Sequence, residues 1–180
     1  MKLKELIQDC CQQKLAAQSE VYQLYADKLF PVCLKYSRNY QDAEDTLQDS
    51  FLTIFDKIKQ YNNKGSFEGW LKRITINTAL LKYREKSPLQ IVKELPETEE
   101  ETEIDIESNA FNIDVLLDFI QKLPDRYRLV FNLYVLDNYS HKEIANLLNV
   151  TESTSKSNLS RARKILKDQL EIYQQQEQKA

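Results

Sequence analysis

Apolar residues at Val21, Leu24, Tyr25, Leu29, Val32, Leu34 and Tyr36 recur close to a 3.6-residue period, the spacing of a helix with one buried face. They predict a long helix in which Pro31 marks a kink or break. A second helix is expected from about Gln41 to Gln60, with Ala43, Leu47, Phe51, Ile54 and Ile58 as its inner stripe. The stretch YNNKGSF interrupts the pattern with two Asn, a Gly and a candidate N-cap, Ser66. A third helix then runs from about Phe67 to Glu85 and turns Phe67, Trp70, Leu71, Ile74, Thr78 and Leu81 inward.

Beyond Ser87 the periodicity stops. Between Pro88 and Pro96 and on to about Ser108 the few apolar residues keep no period, and the acids repel one another, which predicts a flexible acidic linker. Order returns near Phe111. Ile113, Leu116, Leu117 and Ile120 form one short amphipathic face, and Tyr127, Val130, Phe131, Tyr134 and Val135 form the next, with Pro124 where a helix can begin. Ser140 and Glu143 have the spacing of a capping box, and Ile144, Ala145 and Leu148 face inward. Asn149 suits the left-handed residue that ends a helix. Thr151 or Glu152 then starts another that reaches about Tyr173. Two helices joined by so short a turn, the second basic, make a helix-turn-helix.

Composition supports an all-α fold: Gly occurs twice and Pro four times in 180 residues, too few for the tight turns of a sheet protein. Neither a continuous apolar segment of membrane-spanning length nor a signal-peptide pattern occurs, so the chain is expected to be cytoplasmic. Cys10, Cys11 and Cys33 lack the number and spacing of a disulfide framework or zinc site. They are expected to be buried or idle thiols. His141, the single histidine, is expected to be a surface residue near a helix start. No cofactor is implied.

The net charge of −3 conceals an asymmetry: eight acids between Glu94 and Glu107 have no Lys or Arg among them, and without them the remainder carries +5. Local potential, not the sum, governs nucleic-acid binding. On a helical wheel Ser155, Leu159, Ala162, Leu166 and Leu170 share the core side of the last helix, and Ser153, Lys156, Ser157, Ser160, Arg161 and Lys164 lie opposite. Short hydroxyl side chains permit close approach to base edges while cations attract phosphate, as a helix in a DNA major groove requires. In the third helix Arg73, Asn77, Leu80 and Arg84 share a side, one turn after Trp70, a combination suited to a single strand: cations for backbone, a ring for stacking, an amide for base edges. The second helix instead presents Asp45, Gln48, Asp49, Leu52 and Asp56, an acidic strip with an apolar centre that fits a basic protein partner.

The segments YADKLFPVCLKYSRNYQDAEDTLQDSFLTIFDKI, GSFEGWLKRITINTALLKYREK and LPDRYRLVFNLYVLDNYSHKEIANLLNVTESTSKSNLSRARKIL closely resemble, in order, the two conserved regions of a bacterial extracytoplasmic-function (ECF, group IV) sigma factor. The resemblance implies region 2 over residues 1–86, a linker over 87–108 and region 4 over 109–180. It implies that Asp45, Gln48, Asp49, Leu52 and Phe55 dock on the clamp helices of core RNA polymerase, with the flap region as a further contact. Asn62, Asn63, Lys64, Ser66 and Phe67 match the loop that captures a base flipped from the −10 element. Trp70, Arg73 and Asn77 match the adjoining helix that supports strand opening, and Arg84 extends that basic face. Lys156, Ser157, Asn158, Ser160 and Arg161 match the part of the recognition helix that enters the −35 element, with Arg163 and Lys164 on the backbone.

There are departures. Ser155 stands where the family usually has an apolar residue, Asn158 and Ser160 replace larger or basic ones, and Asn149 replaces a frequent turn glycine. The −35 sequence of better-known members therefore does not transfer. This recognition helix is similar to those of Bacteroidetes members.

The expected molecule is thus a two-domain helical transcription initiation factor without catalytic activity, with core polymerase, promoter DNA and an anti-sigma factor as its partners. The acidic linker is expected to tether the domains and to enter the polymerase's nucleic-acid channel as an RNA mimic. The competing expectation is a regulator that binds operator DNA as a dimer through the same helix-turn-helix. An enzyme finds no Gly-rich phosphate loop, metal-ligand cluster or nucleophile–base arrangement to rest on.

Overall fold

The computed structural model of the chain describes residues 3–86 and 113–177. Those residues form helices and turns only, in two compact units divided between Gln90 and Ile91. The linker expected over 87–108 lies outside the described residues.

The first unit holds α1 (Leu3–Cys11), α2 (Leu15–Tyr36), α3 (Tyr40–Lys57) and α4 (Phe67–Lys86). α1 was not expected from the sequence. It buries Leu6 and Cys10 against the rest of the unit, and Gln13, just beyond it, donates through Nε2 to the Phe55 carbonyl at 3.3 Å. Of the kink or break expected at Pro31, the break is absent. α2 is one helix across it, because Val21, Leu29, Val32 and Cys33 are buried along its length against α3 and α4, and that packing offsets the lost backbone bond.

α3 starts at the Asn39 cap, whose side chain accepts from the Asp42 N–H at 2.8 Å. Its stripe of Ala43, Leu47, Phe51 and Ile54, continued by Ile58 in a 3-10 turn, lies in the core as expected. Thr46, Ser50 and Thr75 are buried between the helices, and each hydroxyl donates to the carbonyl one turn earlier. They permit close helix packing without an unsatisfied polar atom. Burial pushes the thiol pKa of Cys10 up to about 11 and of Cys33 up to about 12, so both stay protonated at neutral pH.

α4 needs one correction. Leu80, expected on the polar face, is buried, whereas Leu81, expected in the core, is 51% exposed. Packing against both α2 and α3 widens the buried arc of α4 and rotates it away from a single stripe.

The second unit holds α5 (Ile113–Lys122), α6 (Asp125–Phe131), a π-turn over Asn132–Leu136, α7 (His141–Leu148) and α8 (Glu152–Glu177). Arg128 is buried at the α5–α6 corner, where its guanidinium donates to the Gln121 carbonyl at 3.1 Å and pairs with Asp125 at 3.0 Å. The Ser140–Glu143 capping box forms in both directions. Asn149 ends α7 at φ 55° and ψ 51°, the left-handed conformation its short amide side chain tolerates. Thr151 accepts from the Thr154 N–H at 3.0 Å and caps α8.

Candidate nucleic-acid interface

In the first unit, the 3.6-residue period brings Asp45, Gln48, Asp49 and Leu52 to one face of α3, and Leu52 is 69% exposed. Phe55 is half-buried and its ring packs on Phe51 at 5.8 Å. Asp49 forms an ion pair with Lys82 of α4, so part of its charge is spent within the unit. An open groove of about 480 Å³ between α3 and α4 is lined by Leu52, Asp56, Asn77 and Leu81 among others. The C-terminal end of the acidic strip, Leu52 and Asp56, therefore shares one cleft with the amide of Asn77. Leu81 was expected in the core stripe of α4, which its spacing fits, and is instead exposed beside the groove.

The 62–66 loop is built by local bonds. The Asn62 side chain accepts from the Lys64 N–H at 3.1 Å, the Tyr61 hydroxyl donates to the Gly65 carbonyl at 2.9 Å, and Ser66 caps α4 by accepting from the Gly69 N–H at 3.0 Å. Asn63 at φ 58° and Gly65 at φ 87° supply the left-handed turns, which asparagine tolerates and glycine adopts freely. Asn62, Asn63, Lys64 and Ser66 are exposed.

Phe67 does not join them. It is 2% exposed, stacked on Trp70 at 5.8 Å and edge-on to Tyr25 and Tyr61. As the first residue of α4 beside a turn that doubles back, its ring falls between α2 and the loop, where it anchors the loop instead of presenting a surface. Trp70 is half-buried in the same cluster, with Tyr61 at 5.5 Å. Arg73, Asn77 and Arg84 are exposed along α4.

In the second unit, Lys156 and Lys164 are exposed, and Ser157, Ser160, Arg161 and Arg163 are partly so. Asn158 requires a correction: it is 8% exposed. Lying three residues after buried Ser155 and four before buried Ala162, it falls inside the core arc and offers no side chain to a groove. The remaining residues form one cationic, hydroxyl-rich face.

His141 is not the simple surface residue expected. Its ring stacks on Tyr134 (centroids 4.4 Å apart, planes at 20°), and its Nδ1 lies 2.9 Å from the hydroxyl of buried Ser155. Desolvation lowers its pKa, Lys156 and Arg163 lower it further, and Glu152 opposes them. The unfolded chain therefore binds more protons than the folded one just below the ordinary imidazole value of 6.5. The stability His141 contributes is fully present above that value and is lost as the pH falls through the lowered folded value. Thermal midpoints followed by circular dichroism from about pH 7.5 to about pH 5 should show this decline in the wild type. It should be smaller in His141→Gln; equal slopes would exclude His141 as its source.

No group of three or more His, Cys, Asp or Glu able to hold a metal occurs among the described residues, and no helix among them is long and apolar enough to cross a membrane.

Residues 21–88 match the family model "Sigma-70 region 2", and residues 113–166 match "Sigma-70, region 4". The chain is 28% identical over 187 residues to the ECF RNA polymerase sigma factor SigW of Bacillus subtilis (strain 168), covering 94% of this chain and 97% of that one. It is 29% identical over 151 residues to SigM of the same organism, covering 82% and 91%. Its fold is similar to that of the sigma factor RpoE solved in complex with the anti-sigma factor NepR from Bartonella quintana, with a TM-score of 0.52 at 19% identity over 86% of this chain and 96% of that one.

Proposed function

We propose that this chain, which belongs to the sigma-70 family in its ECF form and carries regions 2 and 4, directs core RNA polymerase to promoters and helps open them. The observation that carries the reading is the pairing of two distinct nucleic-acid faces: a cationic, hydroxyl-rich face on a helix-turn-helix, and a basic α4 entered from an exposed asparagine loop. Neither face alone distinguishes an initiation factor from a regulator. Together they match a task with one double-stranded and one single-stranded target.

In this reading Lys156, Ser157, Ser160 and Arg161 meet the −35 duplex, with Arg163 and Lys164 on its phosphates. The loop of Asn62, Asn63, Lys64 and Ser66 receives a base extruded from the −10 element, over a floor braced by Phe67 and Trp70. Holding that base offsets part of the unstacking cost of a few kcal/mol. Arg73, Asn77 and Arg84 follow the separated strand. Asp45, Gln48, Leu52 and Phe55 dock on the polymerase clamp helices, with Asp49 assisting, and polymerase supplies the catalysis. Residues 1–86 and 109–180 serve as the two binding domains, the segment between them tethers them, and the site of action is the cytoplasm. An anti-sigma factor is the regulatory partner. The serine-rich recognition helix supports a Bacteroidetes-like subtype.

Mixing the purified chain with bacterial core polymerase should yield a complex that initiates at specific promoters. Tight duplex binding as a dimer without polymerase, and no complex with it, would establish the regulator instead. Leu52→Arg tests the docking surface. Because Leu52 is 69% exposed, the fold should persist while polymerase affinity falls about thirtyfold or more, the effect of losing an interface anchor. Unchanged affinity in a pull-down titration would remove α3 from the docking site.

A further inference from the structure

We propose that His141 is a positioning residue for promoter recognition: by bridging Tyr134 and Ser155 it sets the rotation of α8 and hence which of its side chains face the duplex. The inference rests on the reading of α8 as the −35 recognition helix.

Three elements meet at the ring. His141 is the first residue of α7, Tyr134 comes from the π-turn, and Ser155 lies in the first turn of α8. The stack holds one face of the imidazole, and the 2.9 Å bond fixes its edge. Ser155 is fully buried, in an arc otherwise continued by Leu159, Ala162, Leu166 and Leu170. Apolar burial is non-directional: it keeps α8 against the unit but resists a small rotation about the helix axis only weakly. A hydrogen bond is directional. One placed at Ser155, immediately before Lys156 and Ser157, fixes the angle at which the exposed face begins. A π-turn carries one more residue per hydrogen-bonded ring than an α-turn, and Tyr134 sits at its middle, under the imidazole. The charged groups of α8 that act on the ring are Lys156, Arg163 and Glu152. Either neutral tautomer can make the bond, since the serine hydroxyl both donates and accepts.

Two variants separate the contacts. His141→Phe keeps a ring on Tyr134 but removes the partner of the buried Ser155 hydroxyl; Ser155→Ala removes the hydroxyl. Each is assayed as holoenzyme with bacterial core polymerase, well below its own unfolding midpoint, on a promoter duplex selected by the wild-type holoenzyme and on the same duplex with a scrambled −35 element. In His141→Phe the preference for the intact element should fall roughly tenfold. Ser155→Ala and His141→Phe with Ser155→Ala should lose about as much preference, because the bond is absent in each, while the double variant, which leaves no orphaned hydroxyl, should recover part of the melting midpoint lost in His141→Phe.

Preference unchanged in every variant, with only the melting midpoints lowered, would reduce His141 to a structural contact and overturn the proposal. If the wild type itself does not distinguish the two duplexes, the assignment of α8 to the −35 element fails first, and the proposal fails with it.

Discussion

Leu71→Ala is expected to destabilise the first unit by about 2–5 kcal/mol, the cost of removing a fully buried leucine from a site that cannot collapse. Leu71 has no exposed surface and lies in α4, where that helix packs on α2 and α3. A unit of this size has roughly 5–10 kcal/mol of stability to lose. Its thermal midpoint should therefore fall by about 10–30 °C. Trp70 is the chain's single tryptophan and stands one residue away, among Tyr61 and Phe67, so its fluorescence reports this unit. Leu52→Ala is the control: it truncates the same side chain in the same unit at a position 69% exposed, and should move the midpoint by no more than about 0.5 kcal/mol equivalent. If the two variants behaved alike, the packing of α4 described above would be wrong. The functional consequence follows from position. Arg73 and Asn77 ride on the same helix, so opening at the −10 element should fail at the temperature where Trp70 fluorescence reports melting.

How far such packing could be foreseen depended on how many neighbours each helix has. The α3 stripe was legible because α3 repeats its apolar residues every three or four positions on one face, and Ala43, Leu47, Phe51 and Ile54 are all buried. α4 was less so. Packed on two helices, it buries Leu71, Ile74, Thr75, Ile76, Ala79 and Leu80 over a broad arc, and neighbouring Leu80 and Leu81 cannot be told apart by period alone. α1 does carry the pattern, with Leu3, Leu6, Ile7, Cys10 and Cys11 at i, i+3, i+4, i+7 and i+8, but nine residues are too short for a helix that stands alone, and it is held by tertiary contacts of Leu6 and Cys10.

The site residues divide in the same way. The capping box and left-handed Asn149 are local chemistry, and the sequence contains all of it. The inward place of Phe67 was legible in the period of the third helix, against the base-capturing role that the resemblance implied, whereas Asn158 and His141 depend on what lies across from them, namely the buried arc of α8, and Tyr134 with Ser155. The one available clue was a serine at a core position of the wheel. A buried hydroxyl requires a partner, and the single histidine was a candidate for it.

The double substitution Lys156→Ala/Arg161→Ala should weaken binding of a specific promoter duplex by the holoenzyme about thirtyfold or more, at about 1–3 kcal/mol for each lost contact. If both side chains reach phosphates, the slope of log affinity against log salt should also shrink by about 1.8. If they read bases instead, the slope should hold while discrimination between promoters falls. The partner experiment is Arg73→Ala/Asn77→Ala. Both residues are exposed on α4, so it avoids the ambiguity of removing Trp70, whose ring braces the loop. This variant should still bind the closed duplex but produce at least tenfold less open complex, scored by permanganate reactivity of unpaired thymines near the −10 element. The crossed pattern is what matters. One pair must fail at recognition with melting intact on any promoter it still occupies, and the other must fail at melting with recognition intact. Should both pairs lose duplex affinity equally, the two faces would be parts of a single duplex-binding surface, and the separation of recognition from strand opening would have to be abandoned.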